Sequence, residues 1–280
     1  NLAEHQSWQR KILYLHRDIS TIYSKNNEEL LNIPGFHIRT YVSEIDNQPQ
    51  SYLIHIPKSF SKDKQYPLVF LIPYKLGNNS HYLESMRVAN IQLIENLQEI
   101  TDKNDVIIAE PFAREVGIPN FNNIDETDFF EVFNAIENDY NIDKDQVYLI
   151  GSCQGGHKSL KLAVKYPDII AAMAFISPSF HESYNYSEKN NWIDDSEPLQ
   201  HIENLRNIPM LIIHSNTDGH MPIQPSYDFV ELYNSKGLSN LTFHELEGVI
   251  NQYYWSEYSD ELIKYLLKHK KVHKPKKVSI

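Results

Sequence analysis

Apolar residues near the start of the chain recur at helical spacing. Trp8, Ile12, Leu15, Ile19 and Ile22 share one face, which predicts an amphipathic helix. The breaker Ile33-Pro34-Gly35 ends it, because proline and glycine stop regular helix. Beyond Gly35 the period changes to two. Phe36, Ile38, Thr40 and Val42 alternate with polar residues, and Tyr52, Ile54 and Ile56 do the same after the Asn47-Gln48-Pro49 turn. This is the pattern of two antiparallel strands on a half-covered edge.

The next strands are near-continuous apolar runs: 68–72 (LVFLI), 106–109 (VIIA), 147–150 (VYLI), 172–176 (AMAFI) and 210–213 (MLII). Strands buried on both faces have this character, which predicts a parallel sheet covered by helices on each side. Helical patterns fall between them, around 83–100, 129–140, 154–166 and 227–236. A last strand over 241–246 and a last helix over 255–268 close the alternation. The expected fold is α/β: one mostly parallel eight-stranded sheet with helices on both faces, preceded by an N-terminal helix. The expected organisation is a helical extension over 1–34, the α/β domain over 35–268 and a basic tail over 269–280. The extension could pack on the core or on a neighbouring domain. The stretch from Ser177 to Pro209 is a long excursion carrying Tyr184, Tyr186 and Trp192 in a polar setting. Excursions above the C-terminal edge of a sheet often form a binding face; packing of the loop on itself is the competing reading.

Composition narrows the partners. A net charge of -11 over 280 residues argues against nucleic acid, whose phosphates need clustered Lys and Arg. The one basic cluster, Lys268 to Lys277, is expected to be a solvated tail. The apolar runs are too short to span a membrane, so a soluble protein without a membrane partner is expected, its compartment undetermined. Cys153 is the single cysteine, which excludes an intramolecular disulfide. The thirteen histidines show no metal-ligand spacing, and there is no cofactor motif; no metal and no cofactor are expected.

The chemistry concentrates where a buried strand runs into Gly151-Ser152-Cys153-Gln154-Gly155-Gly156 and then into a helical pattern. This is a nucleophile elbow, G-x-Nuc-x-G, in its required strand–turn–helix context. Glycine at 151 and 155 removes side chains where strand and helix cross. Cys153, not Ser152, occupies the centre. Cysteine is intrinsically nucleophilic, and a helix N-terminus supplies N–H groups for a developing oxyanion. A small buried hydrophobe left after activity was lost is the alternative for this position.

On these residues, together with 210–222 (MLIIHSNTDGHMP), the chain resembles the α/β-hydrolase family, in its esterase and prolyl-oligopeptidase-like branch. The resemblance covers about residues 36–268 and implies a triad in the order nucleophile, acid, histidine. It implies Cys153 as nucleophile and Asp218 as the acid, with a turn cap before Pro222 as the plainer role for Asp218. The histidine position falls in Glu247-Gly248-Val249-Ile250-Asn251-Gln252, where Asn251 is the best match. Asparagine cannot accept and return a proton near neutral pH. His220 and His181 are the candidate surrogate bases, ahead of His157 and His81. The backbone N–H of Gln154, and that of Tyr74 in Pro73-Tyr74-Lys75-Leu76-Gly77, are the implied oxyanion donors.

Two functions therefore stand at sequence level. One is an acyl hydrolase acting on an ester or peptide. The other is an inactive homologue serving as a binding or assembly domain for a small-molecule ester, glycan or peptide.

Overall fold

The computed structural model describes residues 31–72, 91–111, 123–180, 198–219, 221–248 and 255–273. Of the helical extension expected over 1–34, residues 1–30 lie outside them. The eight expected strands are all present: β1 (Gly35–Val42), β2 (Pro49–Ile56), β3 (Tyr66–Ile72), β4 (Ile107–Pro111), β5 (Ile142–Cys153), β6 (Ala172–Pro178), β7 (Met210–Ser215) and β8 (Leu241–Leu246). They form one sheet in the order β1-β2-β4-β3-β5-β6-β7-β8. β1 and β2 are antiparallel, β2 meets β4 antiparallel, and every pairing from β4 to β8 is parallel.

Alternation along the central strands explains the two-sided burial. Phe70, Leu149, Phe175 and Ile212 face one core, which α2 (Asn123–Asp139), α3 (Gln154–Lys165) and α4 (Gln224–Ser235) cover. Val69, Ile150, Ala174 and Ile213 face the opposite core, under α1 (Ile91–Asn104) and α5 (Trp255–Leu266). Each strand thus removes both faces from water, at about 25 cal/mol per Å² of apolar surface. That is why the runs lack the polar alternation of β1. The buried His55 of β2 bonds Gln98 of α1 through Nδ1 at 3.2 Å, and burial pushes its pKa down to about 4.

Three expectations need correction. β5 begins at Ile142, five residues before its apolar run. The polar stretch 143–146 interrupts the register between the Tyr66–Ile142 and Leu68–Val147 pairs, so hydrophobicity does not reveal it. The excursion after β6 is not all loop: Pro198–Asn207 forms two short 3₁₀ segments joined by a kink at His201, with Ile202 and Leu205 buried, three residues apart and so on one face. Residues 181–197, with Tyr184, Tyr186 and Trp192, lie outside the described residues.

The third correction concerns the basic cluster, whose first half is docked. Tyr148 donates to the His269 carbonyl at 2.6 Å and the Lys271 N–H donates to the Asp145 carbonyl at 2.9 Å. Lys270 pairs with Asp143 at 3.1 Å, and His273 Nε2 lies 2.8 Å from Asp145. The His273 hydrogen bond, with the neighbouring lysines, holds the Asp145 carboxyl below its usual value. Among the described residues, no helix is long and apolar enough to cross a membrane.

Candidate active site

The elbow is built by close approach of backbone to backbone. β5 runs into α3 with Cys153 between them at φ 52°, ψ -127°, a combination that L-residues rarely adopt. A Cβ on Gly151 would lie 2.6 Å from the Gly155 carbonyl oxygen and 2.8 Å from the Gly156 Cα. A Cβ on Gly156 would lie 2.7 Å from the Pro178 Cβ and 2.9 Å from the Ser179 carbonyl oxygen. Gly151 meets the helix, as the motif implies. Gly156, which the motif does not include, makes room for the strand end beside it.

The turn leaves Cys153 half-buried at the N-terminus of α3, with no capping hydrogen bond from its side chain. The first N–H groups of a helix have no acceptor within it, and those of α3 begin at Gln154, directly after Cys153. Its own carbonyl accepts from the Ser179 N–H at 2.7 Å. His157, one turn along α3, is buried and donates through Nδ1 to the Phe180 carbonyl at 3.3 Å.

The loop after β7 is built differently, from buried side chains. Asp218 follows β7 and is half-buried. The Met221 N–H donates to its Oδ1 at 2.9 Å, and the Ser177 hydroxyl donates to its Oδ2 at 2.6 Å. Beneath the loop, His214 is fully buried. Its Nε2 lies 2.9 Å from the Met221 carbonyl and its Nδ1 lies 2.8 Å from Ser226 Oγ. A carbonyl only accepts, so Nε2 carries the hydrogen and Nδ1 accepts from Ser226. Burial holds His214 below the usual histidine value, partly opposed by its bond to Met221 and the nearby Asp218 charge, so the ring is neutral near pH 7.

The same loop holds the exit from β8. Asn216 donates its N–H to the Leu246 carbonyl at 3.0 Å, and its Oδ1 accepts from the Gly248 N–H at 3.4 Å. Gly248 adopts φ 71°, a left-handed conformation glycine tolerates. Gly248 is thereby tied to the loop that carries Asp218.

The structure thus describes Cys153 at the C-terminal end of β5, Gln154 directly after it, and Asp218 just beyond the end of β7, with β6 between the two strands. Asn251, Tyr74, His220, His181 and His81 lie outside the described residues. Sequence reasoning passed over two residues that the geometry brings in, Ser177 and His214. A serine closing an apolar strand before proline, and a histidine inside an otherwise apolar strand end, were the available signals.

An eight-stranded, mostly parallel sheet in this order, with a strand–turn–helix elbow in its middle, defines an α/β-hydrolase. More narrowly, the chain belongs to the Esterase family: the family model described as "Putative esterase" matches residues 128–274, just over half the sequence. Solved structures share the fold. A ferulic acid esterase superposes with a TM-score of 0.67 at 17% identity, covering 83% of this chain and 97% of its own. An S-formylglutathione hydrolase from Agrobacterium tumefaciens gives 0.64 at 14% identity, covering 83% and 94%. A substrate-bound fluorophosphonate-binding serine hydrolase from Staphylococcus aureus gives 0.63 at 13%, covering 84% and 99%. None of the curated protein sequences matches this chain.

Proposed function

We propose that this chain is an acyl-ester hydrolase with Cys153 as its nucleophile. The observation that carries the reading is the Cys153 backbone, at φ 52°, ψ -127° between β5 and α3. Strain of this kind costs on the order of 1–3 kcal/mol and persists where it serves a site.

In the reaction, the Cys153 thiolate attacks the ester carbonyl carbon, and the C=O electron pair moves onto oxygen. The Gln154 N–H, with that of Tyr74, stabilises this oxyanion. Collapse expels the alkoxide and leaves a thioester on Cys153. Water then adds to the thioester, one of its protons passing through solvent to the expelled alkoxide, the Cys153 thiolate departs, and the carboxylic acid is released. Asp218 orients the residue that faces the thiol, which on the family pattern is Asn251. An asparagine cannot ferry the proton. Leaving groups that depart without a proton, as in aryl esters and thioesters, are therefore favoured, and the water step is the slow one.

Hydrolysis of p-nitrophenyl acetate tests this. Expected is a burst of p-nitrophenolate close to one per chain, an acetyl adduct on Cys153 by mass spectrometry, and slow turnover afterwards. Asn251→His is expected to speed the steady state by about 100-fold, the usual contribution of a general base. No release above buffer, or release that survives Cys153→Ala, defeats the reading. The second reading, an inactive homologue that binds an ester, glycan or peptide, is favoured by asparagine at the expected base position; the same silence would support it.

A further inference from the structure

Ser177 lies on β6, immediately beside the elbow, and adopts φ 43°. Serine gains nothing locally from a left-handed backbone, so the surrounding structure imposes it. Its effect is visible two residues either way. At Ser152 β6 is still in register, paired with Ile176; one residue on, Cys153 pairs with Pro178, so the register slips at Ser177. The segment then makes a bond to each half of the site. The Ser179 N–H donates to the Cys153 carbonyl at 2.7 Å, and the Ser177 hydroxyl donates to Asp218 Oδ2 at 2.6 Å. Pro178 between them fills the space that Gly156 leaves.

We infer that Ser177 is a positioning residue for Asp218. Its slipped, left-handed backbone aims the hydroxyl across the sheet edge, so the carboxylate is held by Ser177 on Oδ2 and by the Met221 N–H on Oδ1. The 177–179 segment spaces the acid from the elbow: one end is tied to Cys153, the other to Asp218. Two fixed oxygens set the carboxylate plane, and that plane sets the direction in which Asp218 accepts a third hydrogen bond. The catalytic consequence rests on the acyl-hydrolase reading above; the positioning itself does not.

The test uses Ser177→Gly, Ser177→Ala and Ser177→Thr in the full chain. Glycine suits the left-handed backbone and keeps the fold while removing the hydroxyl. Threonine keeps the hydroxyl at some cost in stability, since β-branching is disfavoured there. The first readout is the carbon NMR titration of the Asp218 carboxyl, assigned with Asp218→Asn. Losing a donor to the charged form moves that titration up, by about one pH unit in Ser177→Gly and Ser177→Ala; Ser177→Thr brings it back. The second is p-nitrophenyl acetate turnover, where Ser177→Gly lowers kcat by about tenfold with KM unchanged. An Asp218 titration that stays at the parent value in folded Ser177→Gly overturns the inference. So does a Ser177→Thr chain that behaves like Ser177→Gly. A parent without turnover sinks only the acyl-hydrolase reading, because the titration still decides the role of Ser177.

Discussion

At the β5–α3 elbow, shape comes from the main chain: Gly151 and Gly156 leave no room for a Cβ, and Cys153 is held in a left-handed turn. At the β7–α4 loop, shape comes from side chains: Ser226, His214, Met221, Asp218 and Ser177 form one connected hydrogen-bonded set. Among the described residues, Gly219, inside that loop, has nothing within 4 Å of where its Cβ would be. On the proposed function, the difference follows from what each half must present. A nucleophile needs exposure and nearby N–H groups, which a sharp turn into a helix provides. A carboxylate needs a fixed direction, which opposing donors provide.

The two halves should therefore fail differently. The largest contrast is between two glycines. Gly151→Ala forces a methyl group against the Gly155 carbonyl and should cost about 3 kcal/mol in urea unfolding. Gly219→Ala should change stability by no more than about 0.5 kcal/mol. Equal costs would erase the distinction between a main-chain elbow and a side-chain loop.

Acid sharpens the comparison from the other side. His214→Phe removes the donor to the Met221 carbonyl and the acceptor of the buried Ser226 hydroxyl, at about 2 kcal/mol near pH 7. The wild-type ring is neutral and held below its usual value by burial. Unfolded chains therefore take up a proton that the folded ring refuses. The stability it confers is complete above about pH 6.5 and is lost as pH falls below that value. His55, pushed down to about 4, acts in the same direction and loses roughly 3 kcal/mol by pH 4. Urea titrations across pH 4–7 should show both, with a shallower acid limb in His214→Phe. An unchanged limb would mean that His214 is not the loop's buried support.

The smallest expected effect has the opposite sign. Cys153→Gly relieves the turn and should raise stability by about 1 kcal/mol, while abolishing the burst. A loss of stability would mean that the thiol packs the elbow rather than straining it.

The elbow was legible because its constraint is local. A strand can enter a helix that tightly only with glycines at fixed offsets, so Gly151-Ser152-Cys153-Gln154-Gly155 announces the turn. The eight strands were legible because burial on two faces leaves unbroken apolar runs. Asp218 was singled out only through the family resemblance of residues 210–222. Ser177 was not, because a hydroxyl 41 residues upstream of its carboxylate leaves no spacing signal. His214 was not, because its partners Ser226 and Met221 meet it only after α4 folds back on the strand. The docked start of the basic cluster was missed for the same reason: Asp143 and Asp145 lie more than 120 residues away in the chain.

The sequence by itself determined the α/β alternation, the elbow and the cysteine at its centre, because periodicity and backbone sterics act over a few residues. The tertiary structure alone decided that β4 inserts between β2 and β3, that Gly156 packs on Pro178, and that Ser177 and His214 bond the loop after β7. Those contacts depend on which distant segments close on one another, and hydrogen bonds between them carry no periodicity along the chain.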